Sequence, residues 1–472
     1  MRSLPLSLGD GAPTAPTYLN KLAGLYILAL PFFGFSLLNV AGRGLARPDW
    51  IFGLLLTVAF ALESLGARVK IASSPANLFM ALYFASGLFS AIMVMGATNT
   101  AQFIDFFTKA MQLVLVTPTF FVLSSLPVGE AEVKRLLKIW VRLGVVLALH
   151  AIYQLVAQVF DLPFATFTLT NPSISMTGGV QSTRTLFGYT QPTSIFQEPS
   201  YLGAFLGPCL LLLAVFVLEG RSPDLLFPRR WLNWLCLLAL AAAVLLSNSQ
   251  AILVSLGITL LFILVRGLIN RLRLLYFMAL AVGAVLLLVP ILRAIGVDFL
   301  TAFVYRFQFL ILNILQPDGS AQITSYAERS SSLRLGLAIW QQHPLLGVGL
   351  GNMGHYNQSG RATTNNAWVQ LLVEQGVIGF VPFLLLFGVL LWQSSWLLHL
   401  HPPGSFWRTI LIAMICVLVL TIFSALFTFN WIDPVRVFTL GLANLVCIQA
   451  NAHAIAHRWP VGPRLRLLAG RA

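Results

Sequence analysis

Residues 320–379 read SAQITSYAERSSSLRLGLAIWQQHPLLGVGLGNMGHYNQSGRATTNNAWVQLLVEQGVIG, a polar stretch in a chain that is otherwise greasy. It carries Arg329, Arg334 and Arg361, His343 and His355, a glycine cluster at 347–351 and the pair Asn365–Asn366, and it runs straight into a hydrophobic segment. Connections this long are uncommon in a compact body unless they are functional. The reading is a long functional loop, with short helices of its own, set on a membrane-embedded bundle.

The surroundings decide what that loop is attached to. Of 472 residues 58% are hydrophobic and only 9% charged, with a mean hydropathy of +0.85, whereas a soluble domain carries about 25% charged residues. On the rule that roughly 20 apolar residues cross the hydrocarbon core, about twelve spans are expected, near 22–41, 50–66, 76–96, 103–126, 136–158, 196–218, 231–247, 250–266, 274–294, 370–393, 409–428 and 438–455. The fold class is therefore all-α and polytopic, a single integral membrane domain over 1–472. Nothing ahead of the first apolar run has the pattern of a cleavable signal, so that run is expected to be retained. Cys209, Cys236, Cys416 and Cys447 all fall in apolar runs without metal-ligand spacing and read as packing residues.

Charge distribution gives the expected orientation. Of the 29 basic residues, 19 lie in short connections and tails that alternate to one side: Arg2, Lys21, Arg68, Lys70, Lys134, Arg135, Lys138, Arg142, Arg221, Arg229, Arg230, Arg266, Arg271, Arg273, Arg408, Arg458, Arg464, Arg466 and Arg471. Cytoplasmic loops keep such an excess, so both termini are expected in the cytoplasm. The two long connections, about 159–195 and 295–369, then lie on the extracytoplasmic face. The net charge of +14 reflects this bias and does not point to nucleic acid.

Several polar groups could carry chemistry. Arg184 and Glu198 are the only charged groups in the polar run 171–203 of the first long connection. Glu198 precedes Pro199 at a helix start, where it is either a carboxylate favoured by the helix dipole or a general base at the membrane surface. His150, Tyr153, Gln154 and Gln158 share one helical face, and serve either as interhelical hydrogen-bonding groups or as the lining of a cavity. Asp105 and Lys109, four apart, read as a structural pair. The GVGLGN run at 347–352 lacks the βαβ context of a dinucleotide site; its glycines permit tight turns and close backbone approach. Arg306, Arg329, Arg334 and Arg361 lie where the positive-inside bias disfavours them, and the guanidinium fork suits pyrophosphate. Each is either a phosphate-binding group or a solvated arginine.

RSSSLRLGLAIWQQHPLLGVGLGN (329–352) followed by TTNNAWVQLLVEQGVIGF (363–380) resembles the signature of the O-antigen polymerase/ligase superfamily of bacterial membrane proteins. The span count, the two enlarged outer loops, and RTLFG (184–188) with FQEPSYLG (196–203) are similar to that family as well. The resemblance implies a metal-independent glycosyltransferase with no cofactor, acting on glycans carried by undecaprenyl pyrophosphate at the outer leaflet of the inner membrane. It also implies that the matching arginines, Arg184 and Arg334, hold the donor. The family's ligases usually carry a histidine–asparagine pair where this chain has Asn365–Asn366, and often an arginine where it has Gln250. A ligase whose base is that histidine would be crippled here.

The expected function is polymerisation of a surface polysaccharide, O-antigen or exopolysaccharide. The alternatives are ligation of glycan to lipid A core or to protein, and a flippase or other transporter of lipid-linked oligosaccharide. Arg334 and Arg184 would neutralise the departing pyrophosphate, and Glu198, His343 or His355 would take the acceptor's proton. Arg306, Arg329, Arg361, Asn365, Asn366, His150, Tyr153 and Gln154 are expected to line the substrate. Expected partners are the lipid-linked oligosaccharide, the bilayer and a chain-length regulator protein.

Overall fold

The computed structural model describes residues 17–40, 43–94, 100–170, 181, 185–294, 296–315, 324–357, 363–428 and 431–457. The expected site residues Arg184 and Arg361, and Arg2 and the tail arginines, lie outside them.

Backbone polar groups in lipid must be satisfied within the segment, and each expected span is met by a helical rod. In chain order these are α1 (Thr17–Ala29), α2 (Pro48–Leu65), α3 (Pro75–Phe89), α4 (Thr100–Val116), α5 (Pro118–Ser124), α6 (Glu130–Val159), α7 (Pro199–Leu218), α8 (Arg230–Leu246), α9 (Gln250–Arg266), α10 (Arg271–Ala294), α11 (Phe299–Leu315), α12 (Thr324–Gln342), α13 (Ala367–Leu398), α14 (Phe406–Ser424) and α15 (Pro434–Ala456). Among the described residues, nine rods are long and apolar enough to cross a membrane, and α8 and α9 are apolar helices just short of that length. Strand is confined to two short antiparallel hairpins, 38–40 with 43–45 and 185–186 with 189–190.

Three expectations need correcting. The first span does not run to 41: α1 ends at Ala29 and a 3₁₀ turn over Leu30–Gly34 carries the chain into the first hairpin, because Pro31 has no N–H with which to continue the ladder. The fourth is two helices, since Pro118 breaks it between α4 and α5. The stretch after 320 is much less irregular than its polarity suggests. It holds α12, and with α11 the second long connection contains two substantial helices rather than short ones.

α7, α14 and α15 form the centre, with 89%, 72% and 78% of their most apolar windows buried, against 18% for α10. Small residues let backbones approach there. On α7, Gly203 and Gly207 sit four apart, and a Cβ on either would lie 2.7 Å from Ile252 or 2.8 Å from Leu420. Gly144 on α6 likewise receives Cys209.

Cross-connections sort the helix ends into two faces. On one, Ser36 bonds Thr170, Asp298 N bonds the Phe187 carbonyl, Gln191 bonds the carbonyls of Ser247 and Asn248, and Gly349 packs on Ser90 and Val94. On the other, Ala72 meets Ser125, Lys134 meets Asp224, Arg221 meets Gly404, Arg273 meets Leu218, and His401 meets Ala450. Both long connections are on the first face.

Candidate active site

The centre of the first face is a break in α13. Gly376 adopts φ 62°, ψ −163°, outside helical geometry, so the carbonyls and N–H groups around it lose their helical partners. The segment 344–349 replaces them. Val348 N and Gly349 N donate to the Val373 and Glu374 carbonyls at 2.8 and 3.1 Å, and Val377 N and Ile378 N donate to the Pro344 and Leu345 carbonyls at 2.9 and 3.2 Å. Gly347, Gly349 and Gly351 all have positive φ, a conformation open to glycine. At Gly347 a Cβ would also collide with the α13 backbone. α12 closes over this arrangement through Ile339, which clusters with Val348, Met353, Val369 and Val373.

Around the break runs a belt of ionisable groups. Glu374, 2% exposed, accepts from Gln370 Nε2 at 2.7 Å and Trp431 Nε1 at 3.0 Å, with the Gly351 N–H and Lys109 beside its carboxylate. Burying a carboxylate requires such donors and a counter-charge. Asp433 caps α15 by accepting from Val435 N and Arg436 N, and the buried Arg436 donates to Thr428 Oγ1 at 3.0 Å. Arg47 and Asp49 form a buried two-point ion pair, Nε–Oδ1 3.0 Å and Nη2–Oδ2 2.6 Å, with the guanidinium over Trp50 at 4.6 Å. Tyr201 lies in electrostatic reach of Glu198, Asp433 and Arg47. At the far end His355 Nε2 meets Asp105 Oδ2 at 3.0 Å, and both side chains are partly exposed. Among the described residues, carboxylates outnumber cations in this belt: Asp49, Asp105, Glu198, Glu374 and Asp433 against Arg47, Lys109 and Arg436.

The expected site residues divide by role. Glu198 is half-buried at the N-cap of α7 and accepts from Ser200 Oγ at 3.1 Å. On α6, Gln154 braces the first long connection: its Oε1 accepts from Thr193 N and Ser194 N, and its Nε2 donates to the Ala165 carbonyl. His150 Nδ1 bonds Ser194 Oγ at 3.0 Å, and Tyr153 OH donates to the Pro163 carbonyl. Arg306 donates to the Asn248 carbonyl at 2.7 Å in the α8–α9 turn, while Gln250 Nε2 donates back to the Arg306 carbonyl. Asn366 caps α13 through Trp368 N and Val369 N, and Asn365 holds a left-handed φ of 56°. Arg334 is exposed on α12, on the side away from Gly336, which packs against Thr364, Val369 and Val373. His343 packs its ring on Tyr356. Asp105 and Lys109, expected as a structural pair, engage His355 and Glu374 respectively.

Residues 235–384, from α8 to the first half of α13, match the model of the O-antigen ligase family. This match places the segment in the O-antigen polymerase/ligase superfamily. No curated protein matches the chain. The matched domain contains α12, the glycine segment and the break at Gly376, and it supports a glycosyltransferase-like function of polymerase or ligase class in a multi-pass membrane protein. Arg47, Asp49, Glu374, Asp433 and Arg436 were not among the expected site residues. For Glu374 a signal existed, since a carboxylate inside an apolar run invites a functional reading.

Proposed function

We propose that the protein polymerises a bacterial surface polysaccharide at the periplasmic face of the inner membrane, with both termini in the cytoplasm. The glycan on undecaprenyl pyrophosphate is transferred to the sugar end of a lipid-linked repeat unit. The observation that carries this reading is that, among the described residues, Arg334 is exposed on α12, whereas Arg47 of the carboxylate-bearing belt is ion-paired with Asp49 and Arg436 is hydrogen-bonded to Thr428. An anionic leaving group suits the first region, and an acceptor hydroxyl that must give up a proton suits the second.

In the reaction the acceptor oxygen attacks the anomeric carbon, the bond from that carbon to the pyrophosphate oxygen breaks, and the electron pair leaves with the pyrophosphate. Arg334, with Arg184, Arg329 and Arg361 of the same connections, neutralises that charge as it develops. Arg306 is engaged with the α8–α9 turn and on this reading shapes the donor site through it. Asn365, where the ligases carry histidine, favours polymerase over ligase. A chain-length regulator would act on the same face. Glycan analysis of a deletion strain tests the proposal: single repeats with loss of long chains support a polymerase, whereas lipid-linked polymer accumulating without attachment refutes it in favour of ligation.

A further inference from the structure

We propose that His355 is the base that deprotonates the acceptor hydroxyl and that Asp105 positions it. This inference rests on the glycosyl-transfer reading above and names the group that reading leaves open. The two residues are 250 apart in sequence, yet the imidazole Nε2 and the carboxylate Oδ2 meet at 3.0 Å. Folding holds the contact from both sides. His355 lies in the 3₁₀ turn Met353–Tyr356, directly after the glycine segment hydrogen-bonded into the break of α13. Gly351, at the head of that turn, lies against the Asp105 carbonyl and the Lys109 stem, where no Cβ would fit. Asp105 is presented by the second turn of α4.

The chemistry follows from which nitrogen is engaged. With the carboxylate accepting from Nε2–H, the tautomer is fixed and Nδ1 carries the lone pair. An imidazole oriented by a carboxylate in this way is a general base whose protonated form the carboxylate stabilises. As the acceptor O–H bond breaks, its proton passes to Nδ1, the oxygen bonds the anomeric carbon, and the electron pair of the old bond departs with the pyrophosphate. Access separates this pair from the sealed groups of the belt. Its side chains are 23% and 26% exposed, whereas Glu374 and the Arg47–Asp49 pair are sealed. His343 has its ring on Tyr356, and Glu198, at the N-cap of α7, accepts from Ser200 Oγ.

Turnover (kcat) and KM for transfer between lipid-linked repeat units are measured in membranes for wild type, H355Q and D105N, with amide exchange over 349–357 followed in parallel. H355Q is expected to lose roughly 10²–10⁴-fold of kcat while those amides stay protected. D105N lets the ring turn or take the other tautomer, so kcat is expected to fall roughly 10²-fold or more with KM and amide protection kept; a pair that only docks the turn on α4 would instead lose protection over 349–357. If H355Q does not accumulate, D105N decides the matter. An H355Q or D105N kcat within a few-fold of wild type overturns the inference. Wild-type transfer to lipid A core instead of to the repeat unit overturns the polymerase reading alone, and the same variants then decide the base on that transfer.

Discussion

Gly376→Ala attacks the feature on which the site is built. The residue holds φ 62°, ψ −163°, a region that costs a non-glycine residue about 1–3 kcal/mol. Its new Cβ would lie 2.7 Å from the Leu346 backbone nitrogen and closer still to the Leu345 carbonyl. Because backbone cannot swing aside like a side-chain tip, segment 344–349 must lift. The four hydrogen bonds of Val348, Gly349, Val377 and Ile378 across the break are then weakened together, each worth about 0.5–1.5 kcal/mol net. Strain plus partial loss of those bonds comes to at least about 3 kcal/mol of local docking energy, or about 10²-fold in the open-to-closed ratio. Amide exchange in detergent or nanodiscs reads this directly. Protection of Val348 and Gly349 should fall by roughly that factor, while amides of α7 and α14 stay unchanged and transfer activity drops with the docking. Wild-type protection of residues 344–349 in a folded G376A protein would refute the account of the glycine motif.

Arg334→Ala should abolish polymer without lowering the amount of protein, since the side chain is exposed, and Arg334→Lys should restore it only in part because an ammonium cannot supply a two-point fork; immunoblots alongside glycan ladders check this. Asn366→Ala removes the cap of α13 at a cost of about 1 kcal/mol, and Asn366→Asp should keep both stability and polymer; normal stability with lost polymer in the aspartate variant would show that the amide contacts substrate instead. His401, 3% exposed with Nε2 3.1 Å from the Ala450 carbonyl and Nδ1 unpartnered, is held by burial below the ordinary histidine value. Its unfolded form therefore takes up a proton first, and stability should fall as pH drops below about 6.5; thermal unfolding from pH 8 to 5.5 should show a flatter slope for His401→Gln. Reporters fused after Ala456 and within 343–357 should read cytoplasmic and external respectively, and an externally active reporter after Ala456 would overturn the orientation.

Apolar length located the twelve expected spans, because a chain in hydrocarbon must satisfy its backbone within each segment, but it missed α11, α12 and the breaks at Pro31 and Pro118. It could not say which helices are central. α7 and α10 both carry long apolar runs, yet one is enclosed and the other is mostly unburied: lipid tails are as apolar as a leucine core, and the glycines at 203 and 207 are the local hint of close packing. The site was legible in part. The tight turns at the 347–351 glycines follow from local sequence, and so does the resemblance borne by residues 329–380. What the glycines bind, the broken turn at Gly376, is set by tertiary packing, and so are the partners of Glu374, Arg436 and His355. Asp105 and His355 are separated by 250 residues, and a charge finds its counter-charge through the arrangement of whole helices, which local periodicity does not encode.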